Sequence, residues 1–228
     1  MARGEHHRIH ASDRQQRNRR RVAQEAARLM SEHGIRDFHR AKLKAAERLG
    51  ILDTQALPRN QEIEQALREH QRLFLADSQP QLLRARREAA LEAMRFLARF
   101  EPRLVGAVLD GTADAHSAIC LHVFSDDPDA VHHYLHEHGV PYETQTRRLR
   151  TSRDEQAEFP VLLFAADALP FDLTVLPRDA LRQAPLDRVD EKPMHRAGLA
   201  AVEALLAEDG DADELERMLA RAQCCNRP

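Results

Sequence analysis

The chain has 228 residues, of which 43% are apolar, only 4% aromatic and 31% charged, with a formal charge of −3. That length allows one good core, or a compact domain with a helical attachment, and the longest apolar stretch, residues 161–166, is far too short for a membrane span, which needs about 20 residues. The small net charge hides an asymmetry: residues 1–50 hold 13 Lys and Arg against 6 Asp and Glu, so the remainder is acidic.

Residues 1–21 are rich in Arg and His and contain no apolar run, so neither a secretory signal nor a membrane anchor is read there. Such a basic front end can meet nucleic acid or another polyanion, or simply form a solvated Arg-rich helix surface. Cys120, Cys224 and Cys225 make no CxxC pair. This agrees with a reducing, cytoplasmic setting, and the vicinal pair reads as a feature of the tail.

From residue 14 to residue 100 apolar residues recur at helical spacing. Val22, Ala26, Leu29 and His33 form one stripe; Ile35, Phe38, Ala45 and Leu49 a second; Ile63, Leu67, His70 and Phe74 a third; Leu83, Ala90, Met94 and Leu97 a fourth. Gly34 and Gly50 stand where helices end on a left-handed residue, and Pro58 and Pro80 begin helices better than they continue them. Ala46, Gly50 and Ile51 resemble the turn of a helix-turn-helix, but the next helix starts only near Pro58 or Asn60, so ordinary helix packing is expected.

At Glu101-Pro102 the pattern changes to short β-prone runs, over residues 103–109, 118–125, 142–149, 159–165 and 171–176. Asp127-Pro128 caps a helix over 130–138, which Gly139 and Pro141 stop. Helix returns over 195–207 and 212–222. The expected fold class is α+β, with three parts: a basic N-terminal helical region (1–100), a mixed-sheet core (101–178) and a C-terminal helical segment (179–228).

Residues 105–124, VGAVLDGTADAHSAICLHVF, resemble the signature of the minimal nucleotidyltransferases of the polymerase-β type superfamily. There a strand leads to Gly-Ser, then a short helical turn with Gly-Thr-Ala, then Ser-Asp-x-Asp on the next strand. Here Gly106 and Ala107 occupy the first position, Gly111, Thr112 and Ala113 the middle, and Ser117, Ala118, Ile119 and Cys120 the last. The resemblance spans residues 103–177 and implies a nucleotidyltransferase-like core with nucleotide contacts from Gly106, Ala107, Gly111, Thr112 and Ser117. It assigns a third, later carboxylate to Asp172.

Alternate residues of a strand share a face, so two carboxylates two residues apart can aim together at a pair of Mg²⁺ ions. Ala118 and Cys120 stand where those carboxylates belong and cannot ligate Mg²⁺, which leaves Asp172 as the retained catalytic carboxylate. Asp110, Asp114, Asp126 and Asp127 read as turn and cap residues. His116, Cys120 and His122 invite a softer metal, and His132 with His136 another, but scattered histidines and a solvated helix face account for them.

The two-part layout also resembles a group of short bacterial proteins, some designated UDP-N-acetylmuramate–alanine ligase. Such ligases resemble P-loop enzymes, and GxxxxGK[ST] is absent from this chain. The leading expectation is a catalytically impaired nucleotidyltransferase homologue that acts as a binding or regulatory module toward a nucleotide, with no cofactor. One alternative is an active enzyme that transfers a nucleoside monophosphate with Mg²⁺ on Asp172 and unconventional ligands. The other is a nucleic-acid-binding protein that works through its basic N-terminal helices. No membrane partner is expected.

Overall fold

The computed structural model describes residues 2–51, 53–75, 79–127 and 129–209. The helix expected over 212–222, the Cys224–Cys225 pair and Pro128 lie outside the described residues. The protein is α+β, and its contacts divide it into two compact units, Met1–Ala76 with Arg188–Glu191, and Asp77–Asp187 with Lys192–Pro228. Among the described residues no helix is long and apolar enough to cross a membrane.

The first unit is built on α1 (Ala2–His33), against which α2 (Phe38–Arg48) and α3 (Asn60–Phe74) pack. Its core is small-residue rich: Ala23, Ala26 and Ala27 of α1 and Ala41, Ala45 and Ala46 of α2 let the helix axes approach, while Val22, Leu29, Ile63 and Leu67 fill the seam. The Asp37 carboxylate caps α2 by accepting the Arg40 N–H at 2.6 Å, a contact that contributes about 1 kcal/mol. Gly50 ends the same helix at φ 64°. The connection to α3 contains a 3-10 turn, Thr54–Ala56, and is too long for the tight turn of a helix-turn-helix.

The second unit is a five-stranded sheet with helices on one face. Its strands are β1 (Arg103–Val105), β2 (Ile119–Phe124), β3 (Glu143–Arg150), β4 (Gln156–Ala166) and β5 (Leu169–Leu176), in spatial order β1-β2-β5-β4-β3. Only β2 and β5 run parallel; the other pairs are antiparallel. Asp167 and Ala168, both at positive φ, turn β4 into β5, as a two-residue hairpin requires. The helices are α4 (Gln79–Phe96), a single turn α5 (Ala107–Asp110), α6 (Asp129–Glu137) and α7 over 199–209.

All five expected strands form, with differences at the ends. The first is cut to three residues, because Gly106 breaks the extended backbone and the chain coils at once into α5. The last helix begins at 199, not 195. Ala197 instead exchanges both backbone hydrogen bonds with Leu104, at 2.9 and 3.0 Å, and covers the open edge of β1.

The fourth helical stripe also has a different role from the one its neighbours suggest. Ala90, Leu91, Met94 and Leu97 join one core with Ile119, Leu121, Val123, Leu162, Phe171, Leu173 and Val175 of the sheet. Hence α4 belongs to the sheet unit: the change of secondary structure falls near residue 101, whereas the compact units divide after Ala76. Each fully buried Leu or Ile of this core contributes about 2 kcal/mol.

Candidate functional site

The segment from the end of β1 to the start of β2 is where the sheet could meet a ligand. Gly106 has φ 71° and ψ −153°, a region open essentially to glycine alone. A Cβ there would touch nothing within 4 Å, so conformation and not crowding demands the glycine. The chain then makes the turn of α5, with Asp110 N–H donating to the Gly106 carbonyl at 2.9 Å, and Gly111 closes it at φ 76°.

Two buried arginines of α4 fix this segment from below. Arg86 donates to the carbonyls of Ser117 (3.0 Å) and Ala115 (2.9 Å). Arg87 donates to those of Val108 (3.2 Å) and Leu109 (3.3 Å), and its Nη1 donates to both carboxylate oxygens of Asp209, at 2.9 and 2.8 Å. Each guanidinium is about 5% exposed as a residue. Charged groups so placed survive only when their donors are satisfied, and here their targets are the orphan carbonyls of two turns. Sequence reading missed both, since adjacent arginines in an amphipathic helix look like a solvated face.

Register brings the expected strand residues together. Cys120 of β2 pairs directly with Asp172 of β5, and paired residues of neighbouring strands share a face. Cys120, His122, Asp172, Thr174 and Arg147 therefore lie on one face, opposite the helix-covered one. Ala118 lies one residue before β2, and its carbonyl oxygen accepts from the Cys120 thiol at 3.7 Å.

The expected contacts of the preceding turns are differently engaged. The Ser117 hydroxyl is 2% exposed as part of its residue and tied to Asp114, accepting from its N–H at 2.8 Å and donating to its carboxylate at 3.0 Å. Asp114 also accepts from His116 N–H. The Gly111 carbonyl receives the Gln79 amide at 2.7 Å, and Thr112 is buried. Gly106, Ala107 and Gly111 are the members of that set left half-exposed. Asp127 caps the start of α6 through the Asp129 N–H, and Asp126 accepts from the Arg178 N–H.

The decisive feature is the partner of Asp172. Arg147, reaching across β4, holds both its carboxylate oxygens, with Nη1 on Oδ1 at 2.9 Å and Nη2 on Oδ2 at 2.5 Å. Nη1 also reaches Thr174 Oγ1 at 3.4 Å. Burial opposes the charge on Arg147, but the hydrogen bonds and charge of Asp172 outweigh it and raise its pKa above the ordinary arginine value. The resemblance would place metal cations where a guanidinium now stands. One carboxylate, already bound on both oxygens by a cation, does not fit Mg²⁺, which demands several oxygens in near-octahedral order.

His116 is exposed while His122 is buried, His132 Nδ1 is 3.1 Å from the Tyr142 hydroxyl, and among the described residues no group of three or more His, Cys, Asp or Glu could hold a metal ion. In the first unit Arg20 and Arg21 are exposed on α1, whereas Arg19 pairs with Glu62 at 2.8 Å. No family model matches the chain, and no curated protein matches it.

Proposed function

We propose that the chain is a nucleotidyltransferase-like protein without effective transfer chemistry, acting as a binding or regulatory module through a nucleotide cleft that this reading assigns beside Gly106, Cys120 and Asp172. The observation that carries this reading is the pairing of Asp172 with Arg147 opposite Cys120. In an active enzyme of this type, strand carboxylates hold two metal ions that neutralise the phosphates and activate the attacking hydroxyl. Here one carboxylate position is a thiol, another is Ala118, and the third carboxylate is neutralised by a guanidinium that moves with the fold.

The half-exposed turn of Gly106 and Ala107 still allows a phosphate-bearing ligand to approach the backbone closely. Ala107 offers no hydroxyl to it, so binding weaker than in an active relative of this kind is expected.

The test is incubation of the full chain with radiolabelled nucleoside triphosphates, with and without Mg²⁺, alongside calorimetric titration. Triphosphate binding that Mg²⁺ barely changes, with no transfer of label, is the expected result. Robust Mg²⁺-dependent labelling that Asp172→Asn abolishes would overturn the reading in favour of an active transferase. A variant combining Ala118→Asp, Cys120→Asp and Arg147→Gln should acquire Mg²⁺ affinity that a further Asp172→Asn removes.

A further inference from the structure

The polar face of the sheet contains a group that the cleft does not use. His122, in the middle of β2, is 3% exposed, and its Nδ1 has no hydrogen-bond partner among the described residues. A buried atom of this kind has lost its water without gaining a partner, and folded proteins tolerate few of them.

The surroundings of that atom are cationic. Arg103 of β1 stands directly opposite His122 in the register. The bridge between Leu104 and Ala197 sets Arg196 beside Val105, on the same face, with its guanidinium over the Phe124 ring at 5.6 Å. Arg196 donates to the carbonyls of Ala180 (2.7 Å) and Leu181 (2.9 Å), and Arg103 to those of Glu101 (3.1 Å) and Pro102 (3.0 Å).

These partners satisfy donors but cancel no charge. Burial and the neighbouring Arg103 accordingly lower the pKa of Arg196. Burial first, then Arg196 and Arg147, push His122 down to about 4, so its imidazole is neutral and keeps one N–H and one lone pair. Arg147 is matched by Asp172; among the described residues Arg103 and Arg196 face no carboxylate in their hydrogen bonds.

We propose that Arg103, His122 and Arg196 form a metal-independent site for a compact oxyanion of the phosphate class, free or as the terminal phosphoryl group of a larger ligand. Two uncompensated guanidiniums call for two negative charges, which a phosphate dianion supplies and a single carboxylate does not. Its tetrahedral oxygens can accept from both guanidiniums and from His122 Nδ1–H together. This goes beyond the cleft reading, because it requires neither a nucleotide nor Mg²⁺ and draws on β1, β2 and the strap at Ala197.

The experiment is a long-range ¹H–¹⁵N spectrum of the histidine side chains in the full chain at neutral pH with a chelator present. Inorganic phosphate is titrated in one arm and ATP in another, with backbone amides followed in parallel. A saturable shift of His122 Nδ1 with a Kd of about 1 mM or tighter is expected in at least one arm. Arg103→Gln and Arg196→Gln should each weaken it by about tenfold or more, because each removes a charge-assisted contact.

The two arms separate this inference from the cleft reading. If phosphate shifts His122 while ATP does not bind, the anion site stands and the nucleotide reading falls. ATP that shifts Gly106 and Gly111 amides but leaves His122 unmoved keeps the cleft and overturns the anion site. A shift from ATP alone supports a site for a ligand-borne phosphoryl group. An unmoved His122 in both arms overturns the proposal, as does undiminished binding in folded Arg103→Gln protein, whether or not Arg196→Gln folds.

Discussion

On the helix-covered face of the sheet, Ile119, Leu121, Val123, Phe171, Leu173 and Val175 meet Met94, Leu97, Val131 and Leu135. On the other face, the alternate residues of the same strands are Cys120, His122, Asp172 and Thr174, with Arg147 laid across them, and only at one end do Phe124 and Leu176 join Leu149 in a small apolar cluster. Both faces are buried at the centre: His122, Asp172 and Thr174 are 3%, 8% and 2% exposed. A core of that chemistry adds little to stability, because desolvating polar groups costs what their hydrogen bonds return. The apolar face thus supplies most of the burial energy, and the polar face carries the titratable groups.

The sharpest way to break this comparison is to damage each face in turn. Leu173→Ala, at a position 0% exposed in the apolar core, should cost about 3–4 kcal/mol through lost transfer energy and a cavity. Urea unfolding followed by circular dichroism measures it; a loss below about 1 kcal/mol would show that the helix-covered face does not dominate.

Acid should act on the polar face. The folded-state pKa of His122 is pushed down to about 4 from an ordinary 6.5, so the unfolded chain takes up the proton first as pH falls. Its contribution is fully present above pH 6.5 and is lost progressively as pH drops toward about 4, to a total of about 3 kcal/mol. Stability measured across that window should fall in wild-type protein and fall less in His122→Leu. An equal slope in both would assign the acid sensitivity elsewhere.

The smallest of the three effects concerns the ion pair. Arg147→Met leaves Asp172, with its side chain 11% exposed, without its cation. Because the Arg147 side chain is itself 34% exposed, the cost should be about 2 kcal/mol, less than for a fully buried pair. Adding Asp172→Leu should recover most of it, and a double-mutant cycle reads the coupling. Strictly additive losses would mean that the two groups do not depend on each other.

Much of the local structure was legible in the residues themselves. Short β-prone runs marked all five strands, although the first was read through Gly106 to residue 109, and helical stripes marked α1 to α4, because each of these signals lies within a few neighbouring residues; the turn at Gly106 and Gly111 came from the resemblance. The alignment of Cys120 with Asp172 also followed, since the residues matched to the signature already placed them on neighbouring strands. Placement of Ser117 did not follow: its hydroxyl serves Asp114 inside a local turn.

Tertiary structure alone decided which charges are buried and what they hold. Arg86 and Arg87 find their carbonyls between 21 and 31 residues along the chain, and Asp209 lies 122 residues from Arg87. Arg147 and Asp172 meet across an intervening strand, and Ala197, beyond the last strand in the sequence, closes the edge of β1. The physical reason is shared. An arginine written in a sequence looks like solvent-exposed charge, and only folding brings the distant carbonyl or carboxylate that makes its burial tolerable, so no periodicity records it.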